Sequence, residues 1–207
     1  SAVTVDLEAG TAIDTFGDTD TLSNIDAIRG TSQADSLTGS DNSAAPIGNK
    51  FEQFHGLGGN DVIDGGLGLD LVRYDNDAGF GGGAGVTVDF VNGTAIDGFG
   101  DTDTISNIEA VRGTNQADTF TGAGGSEQFY GLGGNDVIEG GGGSGDEVRY
   151  DFDTRVGGTL GVTVDLAAGT AIDGFGDTDT LSNIERVRGT DEADVLTGSS
   201  ANNRFRG

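Results

Sequence analysis

Aspartate recurs in this chain in one local setting, with glycine a few residues before it and a large apolar residue two positions after it. Asp20, Asp35, Asp61, Asp70, Asp103, Asp118, Asp136, Asp146, Asp179 and Asp194 hold that place, and Glu52 and Glu127 hold it in weaker units. Scattered acids would mean only a solvated surface. Acids in phase with glycine and an apolar anchor mean more. A carboxylate is a hard oxygen ligand, and a glycine-rich loop offers unobstructed backbone carbonyls. If successive units stack about 4.8 Å apart, their carboxylates repel unless a cation lies between them. Two carboxylates per gap, with flexible carbonyls, describe a Ca²⁺ site. Mg²⁺ demands a tighter octahedron and keeps its waters. Zn²⁺ wants Cys or His, and the chain has no Cys and a single His.

The elements that must position these acids follow from the repeat. Segments such as Gly65–Arg73 (GGLGLDLVR) and Gly131–Glu139 (GLGGNDVIE) fit a nine-residue frame, G-G-x-G-x-D-x-U-x, with U apolar. One apolar residue between two polar neighbours is a very short strand with alternating faces. A three-residue strand is not stable alone, so the chain must coil and stack each strand on the next. Each unit is expected to lie on the unit two before it. That places Asp20, Asp35 and Asp61 in one column, Asp103, Asp118 and Asp136 in a second, and Asp179 and Asp194 in a third. The apolar anchors include Ile13, Leu22, Ile96 and Ile172. No 3.6-residue pattern appears, so helix is excluded. The expectation is an all-β solenoid of roughly 11 turns, about 50 Å long at the interstrand spacing.

A longer repeat contains the short one. VTVDL at Val3–Leu7 returns as VTVDF at Val86–Phe90 and VTVDL at Val162–Leu166, each continuing through GTAID, FGDTDT, SNI and RGT. Three copies result: residues 1–85, 86–161 and a shorter 162–207, read as one continuous solenoid and as part of a longer chain. Copy one carries an insertion between Gly39 and His55 that includes the only proline, Pro46. Linkers 74–85 and 150–161 interrupt the acid column, and their Asp75, Asp77, Asp151 and Asp153 either bridge it or are solvated.

GLGGNDVIDGGLGLD and GLGGNDVIEGG resemble the hemolysin-type calcium-binding nonapeptide repeats of RTX proteins. The VTVDL-to-TG stretch resembles a segment that precedes such repeats in large secreted bacterial proteins. The resemblance implies a right-handed parallel β-roll with several Ca²⁺ ions between successive loops, type I export and folding outside the cell. It implies metal ligation by Asp61 with Gly56 and Gly58, and by Asp70 with Gly65 and Leu67. It implies the same for Asp136 with Gly131 and Gly133, for Asp103 with Gly98 and Gly100, and for Asp179 with Gly174 and Gly176. Asn107–Arg112 is a six-residue unit, too short for the usual loop, so no site is expected at Asp26, Glu109 or Glu185. The implied role is a calcium-rigidified structural segment of an adhesin, matrix or surface-layer protein. The alternative is the C-terminal secretion and folding module of an exported protease, lipase or epimerase.

Other chemistries fit poorly. A formal charge of −25, from 10 Lys plus Arg against 35 Asp plus Glu, argues against nucleic acid and anionic lipid. No apolar run approaches the ~20 residues of a membrane span. The DTD in FGDTDT is no EF-hand, because the twelfth position from Asp18 or Asp101 is Arg29 or Arg112 rather than Glu. No nucleophile elbow, HExxH or paired acid and base occurs, so no enzyme is expected. His55 reads as an outward loop residue. Arg29, Arg73, Arg112, Arg149 and Arg188 each follow an anchor and are expected to face outward beside acids. With only three tyrosines, glycan binding through exposed rings has little support. Apolar residues at both ends, Val5 and Phe205 among them, suggest that neighbouring segments or other copies cover the ends.

Overall fold

The computed structural model describes residues 1–41 and 51–207. Its regular structure is almost all strand, mostly three residues long, in two sheets. Sheet I has 14 strands. Named by their inward residues, they run in the order Leu196, Val164, Ala171, Leu181, Ile138, Phe120, Val88, Ala95, Ile105, Ile63, Leu37, Val5, Ala12 and, at the edge, the strand Thr19–Thr21. Sheet II has eight strands, all parallel, in the order Phe205, Val187, Val148, Phe129, Val111, Val72, Phe54 and Ile28. The protein is therefore all-β, with mainly parallel pairing.

The strand period explains the core. The middle residue of each three-residue strand points inward and its neighbours point out. Leu37, Phe54, Ile63, Val72, Val111, Phe129, Ile138 and Val148 are wholly buried. Phe120 stacks on Phe129 across the two sheets, with ring centroids 6.2 Å apart. Burying each such side chain contributes about 1.5–3 kcal/mol. The six-residue units turn the corner between the sheets. Asn24, Asn107 and Asn183 make that corner in the left-handed region, at φ 54°, 51° and 52°, which Asn tolerates better than most residues.

Stacking on the unit after next holds along much of the chain. Ser36 pairs with Val62, Gln53 with Leu71 and Thr119 with Val137. It fails in the VTVDL-to-DTDT stretch of every copy. There the chain folds into a three-stranded antiparallel meander, with Val88 opposite Ala95 and Ala95 opposite Asp103. A reversal of direction also shifts the face. Ile13, Ile96 and Ile172, expected as anchors, are each 46% exposed, while Ala95 and Ala171 turn inward at 1%. Asp103 does not stack on Asp118, nor Asp179 on Asp194, because two meander strands lie between them. Asp20 does not stack on Asp35 either. It lies in the exposed edge strand, with the Ala12 and Val5 strands between. The meanders add six strands to sheet I that sheet II lacks, so a uniform coil of two-strand turns is not what forms.

Each linker also carries one helical turn, which the sequence reading excluded: α1 (Asp77–Phe80) and α2 (Asp153–Val156). Gly81 and Gly157 stop them at φ 110° and 122°. Of the insertion around Pro46, residues 42–50 lie outside the described residues. No helix among the described residues is long and apolar enough to cross a membrane.

Candidate functional site

Two kinds of six-residue loop close on the phased aspartates. The first runs Gly-Thr-x-x-Ala-Asp and ends at Asp35, Asp118 or Asp194. A side chain on its glycine (Gly30, Gly113 or Gly189) would overlap the loop's own carboxylate, so the aspartate folds back over a bare Cα. The threonine then serves both oxygens. Thr31, Thr114 and Thr190 donate their N–H to Oδ2 at 2.5, 2.7 and 3.1 Å and their hydroxyl to Oδ1 at 3.1, 3.0 and 2.9 Å. The N–H of Val3, Val86 or Val162 on the adjoining strand adds a further donor to Oδ1, at 2.6, 2.7 and 2.9 Å.

The second kind is Gly-Leu-Gly-Gly-Asn-Asp, residues 56–61 and 131–136. Leucine replaces the threonine and sits in the left-handed region, at φ 70° for Leu57 and 69° for Leu132. It has no hydroxyl to give. Oδ1 of Asp61 and of Asp136 each accepts one backbone N–H, from Asp35 and Asp118, both at 2.8 Å. Among the described residues, Oδ2 of each is buried with no hydrogen-bond partner.

These loops lie against the Asp-Gly-Phe-Gly-Asp-Thr-Asp segment of the following copy. Gly59 donates to Asp101 at 2.8 Å, Asp61 N–H to Asp103 at 3.0 Å, and Thr102 N–H to Asn60 at 2.8 Å. The second junction repeats this with Gly134 to Asp177, Asp136 to Asp179 and Thr178 to Asn135, at 3.0, 3.1 and 2.8 Å. Gly58 and Gly133 are bare because the rings of Phe99 and Phe175 press on them. Asp97 and Asp173 each spend Oδ1 on turn N–H groups and leave a buried Oδ2 without a partner. From the linkers, the Tyr74 hydroxyl donates to Asp103 at 3.3 Å and Tyr150 to Asp179 at 3.0 Å. Asp77 and Asp153 accept from the Gly98 and Gly174 N–H groups at 3.1 and 3.0 Å.

The electrostatics follow from crowding acids in a dry place. Burial, aided by neighbouring carboxylates, pushes Asp61 up to about 7, Asp103 to about 8, Asp136 to about 9, Asp153 to about 8 and Asp179 to about 7. Asp97 and Asp173 rise for the same reason. Burial also raises Asp118, but donors from Val86 and Thr114 hold it to about 6. A junction that forces protons onto carboxylates is one where a cation would be favoured in their place. Among the described residues, however, no three Asp, Glu, His or Cys side chains stand arranged as a ready metal cage.

The remaining expected ligands are spread out. Asp20 is on the open edge. Gly98 and Gly174 already give their carbonyls to linker N–H groups of Ala84 and of Thr159 and Leu160. Gly100 and Gly176 occupy turns at φ 90° and 94°. Gly56 and Gly131 lie under the carboxylates of Asp61 and Asp136. Gly65 abuts the Asn107 carbonyl, and the Leu67 side chain is 67% exposed. Asp70 and Asp146 form a second column at sheet II, where each accepts a glutamate N–H and donates its own to a glutamate carboxylate: Asp70 with Glu52 and Glu109, Asp146 with Glu127 and Glu185.

Sequence reasoning missed Asp97, Asp101, Asp173 and Asp177, and left Asp77 and Asp153 open between bridging the acid column and facing solvent. One signal was present. Copies two and three read Asp-Gly-Phe-Gly where copy one reads Asp-Thr-Phe-Gly. A Cβ on Gly98 or Gly174 would come within 3.0 or 2.8 Å of the Asp77 or Asp153 Cβ, whereas Thr15 is exposed. Compared with protein families and with curated proteins, the chain matches none.

Proposed function

We propose that this chain is a calcium-binding structural segment of a secreted or cell-surface protein, an RTX-type right-handed β-roll held together by Ca²⁺, with no catalytic role. The observation that carries the reading is the set of buried, unpartnered carboxylate oxygens on Asp61, Asp97, Asp136 and Asp173, recurring at two equivalent copy junctions. Their donor set is oxygen only, which suits Ca²⁺ over Zn²⁺. Asp61, Asp97, Asp101 and Asp103 would hold an ion at the first junction, and Asp136, Asp173, Asp177 and Asp179 at the second. The bound ion would supply positive charge to a chain of net charge −25 and would tie one copy to the next. The unpaired outer edges of the end strands support docking of neighbouring segments or copies.

Calorimetric titration of the metal-free chain with Ca²⁺, followed in parallel by circular dichroism, tests this. The expected result is saturable binding, proton release and a gain of ordered β-structure, with Mg²⁺ far weaker. A chain equally folded and equally stable with and without Ca²⁺ would contradict it.

A further inference from the structure

Charge is segregated in this molecule. Against 35 acids the chain has nine arginines, and every one lies on a strand of sheet II or in α2. Six of them share a single outward column, the position just after each inward residue. In register, that column reads Arg29, His55, Arg73, Arg112, Tyr130, Arg149, Arg188 and Arg206. Parallel strands place successive members about 4.8 Å apart.

The middle of the column is concave. A cavity of about 770 Å³ is lined by Arg73, Arg112, Arg149, Arg155 and Arg188, with Tyr130 and Phe152 among its walls. Among the described residues, two acids closely engage three of these five guanidiniums. Asp75 holds Arg73 at 2.7 Å, and Asp151 holds Arg149 at 2.7 Å and Arg188 at 3.3 Å. Arg112 is left over. It is 6% exposed, lies 3.8 Å from the Phe152 ring and 5.0 Å from Tyr130, and its Nε has no partner. Its nearest acid, Asp75 at 3.9 Å, is already engaged by Arg73. The Gln53 and Gln128 carbonyl oxygens are taken by Arg73 and Arg149, both at 2.9 Å, which leaves their amide N–H groups. The site thus presents a surplus of donors, and its complement is a row of acceptors with negative charge.

We propose that this arginine column binds an acidic polysaccharide, a linear chain carrying carboxylate or sulfate at regular intervals. Guanidinium forks match such oxyanions in bidentate fashion. A narrow ligand can follow one line of cations while avoiding the acids exposed elsewhere on the surface. A nucleic-acid duplex, with a charge every ~1.7 Å and a much greater width, would overlap those acids. A single nucleic-acid strand would want bare rings for its bases. Tyr130 is only 4% exposed and is flanked by Arg112 and Arg149. No residue of the column is a proposed Ca²⁺ ligand, so either reading can fail alone.

The test is calorimetry on the full chain in saturating Ca²⁺, with a chondroitin sulfate octasaccharide, its desulfated form and neutral maltooctaose. Both acidic sugars are expected to bind and the neutral one not, with affinity falling as salt rises. Arg112→Gln should weaken binding about tenfold or more, as loss of a charge-assisted bond does. Exposed Arg155→Gln should weaken it about threefold without disturbing the fold, which guards against misfolding of the buried variant. Equal binding of maltooctaose, no binding of either acidic sugar, or affinities untouched by Arg155→Gln would overturn the proposal. So would tighter binding of a polyglutamate peptide or single-stranded DNA, or self-association of the chain that Arg155→Gln abolishes.

Discussion

The loops ending at Asp118 and Asp136 are neighbours in sheet I, have the same length and close on the same residue type. One completes itself and the other does not. Asp118 receives two bonds from Thr114 and a third from Val86. Asp136 receives one backbone bond, and its second oxygen is buried and bare. Four positions differ between them, and the one that removes the hydroxyl donor is Leu132 in place of Thr114; burial drives Asp136 to about 9 against about 6 for Asp118. The lesson is that a shared nine-residue frame does not make every aspartate equivalent. Loops with threonine spend their carboxylate on their own backbone. Loops with leucine keep an oxygen for something outside the loop.

The largest effect expected from this difference is on pH dependence without metal. Asp61, Asp103, Asp136, Asp153 and Asp179 all have folded-state values above the ordinary 3.8. The folded chain therefore holds protons that the unfolded chain releases. That contribution to stability is fully present below about pH 4 and is lost as pH rises through 7 to 9. In chelator, the melting temperature should fall by about 10 °C or more between pH 5 and pH 9. Saturating Ca²⁺ should flatten the curve, since each site at 100 times its Kd adds about 2.7 kcal/mol. A metal-free chain whose stability rises over that range would break the comparison at its root.

Substitution at the paired loops sharpens it. Asp118→Asn removes an acceptor from backbone and hydroxyl donors and should cost about 1–3 kcal/mol with or without Ca²⁺. Asp136→Asn should raise metal-free stability at pH 8, because a carboxyl held at about 9 must take up a proton to fold and an amide need not, and should cost most of the Ca²⁺ stabilisation. Opposite signs in thermal melts are the expected pattern; equal losses from both would mean the loops do the same work. The smallest effect belongs to Asp20→Ala. Asp20 occupies the place of Asp103 and Asp179 in its copy but faces solvent on the edge strand. It should change stability by less than about 0.5 kcal/mol and leave Ca²⁺ affinity unchanged.

Much of this architecture was legible in the residues. The nine-residue frame located Leu37, Ile63, Phe120 and Ile138 as stacked core residues, because one buried residue per short strand leaves a period that sequence displays directly. The meander was harder to see. Asn92-Gly93 is a hairpin signal, and Gly93 does turn there at φ 65°. Yet Ile96 outweighs Ala95 in any reading based on hydrophobicity, and only strand direction decides which faces in. Where the linker acids go was undecided for a different reason. Asp77 and Asp97 are 20 residues apart and meet only because α1 folds the linker back over Gly98. No local period encodes that contact.

The proposed Ca²⁺ ions belong where carboxylate oxygens lack partners. Diffraction from Ca²⁺-loaded crystals, with anomalous data, tests this placement most directly. The prediction is one ion at the Asp61–Asp103 junction and one at the Asp136–Asp179 junction, with Asp97 and Asp173 turned toward them. Anomalous peaks confined to the threonine loops of Asp35, Asp118 and Asp194, with both junctions empty, would contradict it.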